Sequence, residues 1–252
     1  MQTIRTRMGF AGLWLGLVAS TGLTAPDDPK TVIQKAIEAH GGSDVIDKYP
    51  AGVIKSKGKI TSTDVEVKFN ATNRYQLPNL GKNEIEMEST SGEFRSVQLF
   101  KGDKVEMFFN NVKQELTDEQ ASELRQSMYL QELYQLTPLL KGTDWTLKVL
   151  DDAPKVGGEE TVGISVTKKG RKEVKLFFSK ASGLMVQLER KTRNPMDKEA
   201  TVVQTMSGHK KFDGIVRPTK ITTTADGKPF MNVDLDYKHF DQIPASEFEE
   251  KK

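Results

Sequence analysis

The stretch of residues 171–240 constrains this chain more than any other. It reads as consecutive β-hairpins with almost no helix-compatible periodicity. Lys172-Glu173-Val174-Lys175-Leu176-Phe177-Phe178 turns through Ser179-Lys180-Ala181-Ser182-Gly183 into Leu184-Met185-Val186-Gln187-Leu188-Glu189-Arg190. Asp213-Gly214 and Asp226-Gly227 each separate β-rich segments, and Asp-Gly is among the strongest short hairpin signals. In the last long segment Met231, Val233, Leu235, Tyr237 and His239 alternate with Asn232, Asp234, Asp236 and Lys238. One face is then apolar and the other wet. A long antiparallel meander follows, and its apolar face needs something to wrap around.

The same rhythm fills much of the chain upstream. Strands are predicted at 53–61, 64–70, 75–80, 84–88, 94–100, 104–109 and 112–116, and after the helical interval at 145–150 and 162–167. Two helical stretches interrupt it. In the first, Asp28 is placed to cap, Pro29 suits the first helical position, and Val32, Ile33, Ala36 and Ile37 form an apolar stripe that ends at His40-Gly41-Gly42. A further turn over 43–49 is stopped by Pro50. In the second, Thr117 and Gln120 have capping-box spacing. Ala121, Leu124 and Met128 keep helical spacing, and from Tyr129 the apolar face broadens through Leu130, Leu133, Leu136 and Leu139. Thr137-Pro138 should kink or end this helix, which makes Leu136-Thr137-Pro138 an expected hinge. One-sided strands plus a broad apolar helix predict an α+β, mainly β fold. Its expected form is one strongly curved antiparallel sheet wrapped around the long mid-chain helix and the N-terminal helix. A two-sheet sandwich would bury similar faces but leave the long helix without a place.

The N-terminus reads as an export signal. Arg5 and Arg7 precede an apolar run from 9 to 20 that is short for a membrane span. Ala25 is the expected cleavage point, with an uncleaved anchor as the alternative reading. Residues 26–252 are expected to form one domain, because 151–160 has the length of a loop and not of an interdomain linker. The chain carries 37 Lys+Arg against 35 Asp+Glu. Removing Arg5 and Arg7 leaves 35 against 35, which demotes nucleic acid as a partner, since such binding needs a net basic surface. There is no cysteine. That excludes disulfides, thiolate metal sites, a cysteine nucleophile and an acylated N-terminal cysteine. After signal removal no transmembrane span is expected.

No catalytic centre emerges. His40 reads as a helix C-terminal residue, His209 as exposed near a turn, and His239 as a hydrogen-bonded core histidine. Ser207-Gly208-His209-Lys210 matches a Ser-x-x-Lys pattern but sits in a turn context without companion motifs, so it reads as a chance match. Glu115, Asp118, Glu119 and Glu123 are acidic residues around a helix start, as the dipole favours. Neither a metal nor a cofactor is expected. Lys168-Lys169-Gly170-Arg171-Lys172 is a basic hairpin tip that either meets anionic headgroups or is simply solvated.

Four segments carry a resemblance: Lys35-Ala36-Ile37-Glu38-Ala39-His40-Gly41-Gly42; Leu136-Thr137-Pro138-Leu139-Leu140; Leu176-Phe177-Phe178-Ser179-Lys180-Ala181-Ser182-Gly183-Leu184; and Lys211-Phe212-Asp213-Gly214-Ile215-Val216-Arg217-Pro218. With the element order, the chain resembles the periplasmic lipoprotein-carrier (LolA/LolB-like) fold superfamily over most of residues 26–252. The resemblance implies an unclosed barrel with helices across its mouth, forming an apolar cavity for acyl chains. Extracting a chain of about fourteen carbons from a membrane forfeits on the order of 10 kcal/mol at about 0.8 kcal/mol per CH₂. An enclosed pocket can return that and a surface patch cannot. The candidate lining residues are Met128, Leu133 and Leu136 from the helix, with Phe108, Met185, Met231 and Leu235 from strands. The bland alternative is that these residues fill a solid core. The functional expectation is a non-enzymatic, periplasmic or otherwise exported carrier or sensor for lipid or lipoprotein acyl chains. The rival is an envelope protein–protein interaction module with no ligand.

Overall fold

The computed structural model describes residues 28–62, 65–89, 92–193 and 199–250. The expected signal at 1–25 lies outside the described residues, as does Asp64. The chain is mostly β, with 54% in strands and, among the described residues, four helices.

The first half opens with α1 (Pro29–Ala39) and α2 (Ser43–Lys48) and continues in six strands: β1 (Ala51–Ser62), β2 (Val65–Gln76), β3 (Leu80–Ser89), β4 (Gly92–Lys101), β5 (Lys104–Phe109) and β6 (Val112–Gln114). Then come α3 (Asp118–Gln135), α4 (Pro138–Lys141), β7 (Trp145–Val149), β8 (Thr161–Lys168), β9 (Val174–Ser179), β10 (Met185–Arg193) and β11 (Glu199–Ser207). A short pair, β12 (Lys210–Phe212) and β13 (Ile215–Arg217), precedes β14 (Lys220–Ala225) and β15 (Lys228–Phe240). Thirteen strands form one antiparallel sheet that is not closed into a barrel. β1 to β6 run outward in one direction and β7 to β11 with β14 in the other, so β1 and β15 meet in the middle, from Ala51↔Phe240 to Ile60↔Met231.

Two details depart from the sequence reading. The predicted strand at 75–80 is not a separate element. β2 runs on to Gln76, the chain turns at Leu77-Pro78-Asn79, and β3 begins at Leu80. Pro78 lacks the N–H a central strand needs, so the turn falls there. The Asp213-Gly214 hairpin forms as expected, but β12 and β13 leave the main sheet as a separate ribbon. The Asp226-Gly227 hairpin joins β14 to β15 within the sheet.

The helices start as their caps dictate. Asp28 accepts a hydrogen bond from the Thr31 N–H (3.1 Å). Thr117 and Gln120 make the reciprocal pair, with Gln120 N donating to Thr117 Oγ1 (3.2 Å) and Thr117 N to Gln120 Oε1 (2.9 Å). α3 ends at Leu136, whose φ of 62 is left-handed, and Pro138 restarts the chain as α4. A leucine holds that conformation because its side chain is fully buried. At the end of α1, Gly41 has a φ of 125, and a Cβ there would lie 2.5 Å from the Gly214 carbonyl oxygen, so this turn packs backbone to backbone against the β12–β13 hairpin.

The helices occupy one half of the trough. Val32, Ile33, Ala36 and Ile37 of α1, Tyr129, Leu130 and Leu133 of α3, and Leu139 of α4 share a core with Ile164, Val166, Leu176, Phe178 and Leu188 of β8 to β10. A smaller core lies on the opposite face of the sheet. There the chain after β15 folds back through a 3₁₀ turn (Ala245–Phe248), and Ile243 and Phe248 pack with Ala51, Val53 and Leu80. Buried Lys82 donates to the Glu249 carbonyl (2.8 Å), and Arg95 pairs with Glu250 (2.8 Å) and Glu84 (3.1 Å).

Candidate functional site

Where the helices stop covering the trough, a cavity of about 280 Å³ remains between α3 and the sheet. Its floor is formed by Ile54 and Ser56 of β1, Asn73 and Tyr75 of β2, and Leu235 and Tyr237 of β15. These share a face because Ile54 sits opposite both Asn73 and Tyr237, and Ser56 opposite Leu235. Met128, Leu130, Gln131 and Tyr134 of α3 make the roof, and His40, Met185, Met206 and Arg217 close one side. Gly81 lets the roof descend: a Cβ there would lie 2.4 Å from Met128 Sδ. A wider depression of about 1210 Å³ borders the same strands farther along, touching Gly58, Phe69, Met87, Phe94 and Val233, with Ile221 shared between the two.

Of the sequence-derived lining residues, Met128, Met185 and Leu235 border the cavity. Leu133 and Leu136 lie in the closed core with the β8–β10 strands. Met231 sits opposite Ile60 and Thr223, two residues beyond Val233 and outside the cavity wall. Phe108 is opposite buried Val97, on the face of the sheet away from Val105 and Met107. The structure therefore brings three of the seven together.

Sequence reasoning missed the charged residue in the side wall of this cavity. Arg217 is 6% exposed. Its Nη1 donates to the Tyr134 carbonyl (2.9 Å) and its Nη2 to Gln135 Oε1 (2.8 Å), while Gln135 Nε2 donates to the Tyr49 carbonyl (3.2 Å). The guanidinium thus closes the carboxyl end of α3, where the helix dipole welcomes a cation. No carboxylate among the described residues pairs with it. Burial pulls its pKa below the ordinary arginine value, and Tyr75 and Tyr237 partly offset this. Burying such an ion costs several kcal/mol. Two charge-assisted hydrogen bonds return about 1.5–3 kcal/mol each and a helix terminus up to about 2 kcal/mol. The terms roughly balance, and three of the five N–H donors of the group are not used in these bonds. The sequence signal that could have exposed this residue is its spacing: Arg217 follows buried Ile215 by two positions in a short strand, and so falls on the inward face.

The neighbouring ionisable groups are held neutral. Burial raises the hydroxyl pKa of Tyr134 to about 12, and those of Tyr75 and Tyr237 also rise for that reason. His40 is the C-cap of α1, the helix-end position expected from the sequence, and it is buried. Buried, and with Arg217 nearby, its pKa falls to about 4. Its Nδ1 donates to the Ala36 carbonyl (2.7 Å) and its Nε2 accepts from Met185 N (3.5 Å), while His209 Nε2 donates to the Met185 carbonyl (3.0 Å). Two imidazoles thus serve the backbone of one residue, at the point where the β9–β10 register shifts. His209, expected to be exposed, is half-buried by this contact. His239 is buried, as expected, but neither ring nitrogen makes a hydrogen bond; Asp213 Oδ2 stands 3.4 Å from Nδ1. Burial and Arg217 bring its pKa to about 4.

At the basic tip over 168–172, Lys169, Gly170 and Lys172 are exposed, and three of its cations meet acidic side chains of this chain. Lys168 pairs with Glu132 (2.6 Å) and lies 4.5 Å from the Trp145 ring centroid, Lys172 pairs with Glu123, and Arg171 stands 3.7 Å from Asp103. Among the described residues, no helix is long and apolar enough to cross a membrane.

Neither a family model nor a curated protein sequence matches this chain. Solved structures do. A LolA superfamily protein from Nitrosomonas europaea superposes with a TM-score of 0.58 at 13% identity, covering 89% of this chain and 99% of that one. A DUF1329 family protein from Desulfovibrio piger gives 0.55 at 14% identity, covering 88% and 98%. An outer membrane lipoprotein-sorting protein domain from Vibrio parahaemolyticus gives 0.53 at 8% identity, covering 86% and 94%. With its open antiparallel sheet, its helices on the inner face and these three superpositions, the chain has a LolA-like fold.

Proposed function

We propose that this chain is an exported, non-enzymatic carrier or sensor that shelters an apolar ligand, such as the acyl chain of a lipid or lipoprotein, between α3 and the sheet. The observation that carries this reading is the 280 Å³ cavity walled by Ile54, Met128, Leu235 and their neighbours. That volume is near the lower end for small-molecule pockets and suits one chain better than several. Flexible methionines, Met128 in the roof and Met185 and Met206 at the side, suit adaptable apolar contact. Superposition on a lipoprotein-sorting protein domain and on a LolA superfamily protein supports the same reading, and with it a periplasmic location. Native mass spectrometry of the purified protein, followed by lipid extraction, tests it. Co-purifying lipid that is displaced in a Leu235→Asp variant which still folds is the expected result. A protein that is empty as purified and takes up no added lipid overturns it.

A further inference from the structure

The cavity walls join apolar side chains to neutral polar ones such as Ser56, Asn73 and Gln131, and one side carries Arg217. Among the residues that border it, Arg217 is the one formally charged side chain, since His40 is held neutral and no Asp, Glu or Lys contributes. A guanidinium that only had to close a helix would be satisfied by the Tyr134 carbonyl and the Gln135 amide. Here it also borders the cavity, retains donors beyond those two bonds, and pairs with no carboxylate among the described residues. The nearby tyrosines Tyr75 and Tyr237 are neutral hydroxyls that can donate to an anion and cannot supply one. A low-dielectric wall strengthens any pairing made inside it.

Building on the carrier reading above, we infer that the ligand is a single-chain amphiphile whose monoanionic carboxylate head pairs with Arg217, its hydrocarbon lying against Leu235, Met128 and Ile54. The charge selects the class. One buried cation neutralises one negative charge, whereas a doubly charged phosphate monoester would bring an excess charge into an apolar site with no second cation along its walls. A carboxylate also matches the planar fork of arginine, and lysine would not replace it. The size of the cavity selects one chain over two.

The test compares decanoate, decanol and decyl phosphate, each below its micelle concentration, against the intact protein by isothermal titration at pH 8, where the acid is ionised. Decanoate should bind about tenfold or more tighter than decanol, the scale of one hydrogen-bonded charge pair. Arg217→Met should abolish that preference. Equal binding of decanoate and decanol by the native protein would overturn the Arg217 assignment and leave the carrier reading standing. Tighter binding of decyl phosphate than of decanoate would overturn the carboxylate. Binding of none of the three would remove the carrier reading itself. Because Arg217→Met also opens the end of α3, Arg217→Lys provides the second variant: it keeps the charge, and the inference requires it to lose most of the preference through loss of the fork.

Discussion

At the scale of single residues, the polar atoms are the ones that set conditions on this fold. His40 and His239 are both held near a pKa of about 4, against an ordinary value of 6.5. The folded state therefore refuses protons that the unfolded chain accepts below pH 6.5. Their contribution to stability is complete above that pH and is lost as pH falls toward 4. Each full shift corresponds to about 3 kcal/mol at its limit. Urea unfolding midpoints should accordingly drop steeply between pH 6.5 and 4, and a His239→Phe variant should flatten part of that slope; an unchanged slope would mean that the ring is already solvated in the folded protein. The apolar residues divide just as sharply. Leu133 is fully buried in the closed core, so Leu133→Ala should cost about 2–5 kcal/mol. Met128 borders the cavity, so Met128→Ala should cost clearly less and change lipid retention instead. Denaturant titration of the pair checks the contrast. The sequence could not separate these two, because the apolar face of the helix broadens from Tyr129 and only the extent of the sheet decides which side of it meets a packed wall.

At the scale of elements, most of what was legible came from local chemistry. The capping box, the Gly-Gly stop after α1 and the Asp-Gly turns report conformations that a few residues fix among themselves. Thr117→Ala should therefore cost about 1 kcal/mol, read as a fall in thermal midpoint without a change in fold. What was not legible depends on contacts between distant segments. Alternation places Phe108 on a strand but cannot say which face is inward. That choice was hidden because the chain after β15 covers Ala51 and Leu80 from outside and gives the reverse face a core of its own. Phe248→Ala, which empties the middle of that outer core, should cost about 3–5 kcal/mol; a loss under about 1 kcal/mol in a denaturation curve would mean that the segment is ornamental. Arg217 escaped notice for the same reason, since its partners Tyr134 and Gln135 lie more than eighty residues away in sequence.

At the scale of the whole molecule, the half-filled trough is the property that matters. A sheet of thirteen strands offers more inner surface than the four helices among the described residues cover. The core is dense over β8 to β10 and thins toward β1 to β4, where the cavity and the wider depression lie. The middle of this sheet is also its most distant pairing: β1, among the first strands to emerge, bonds on one side to β15, the last. Contacts of that separation form slowly. During synthesis, β1 has β2 to pair with but waits for some 170 further residues before its second edge is covered. A chain built in this order has an open seam at its centre until its last strand arrives, so its first hairpin must wait half-paired for its final partner.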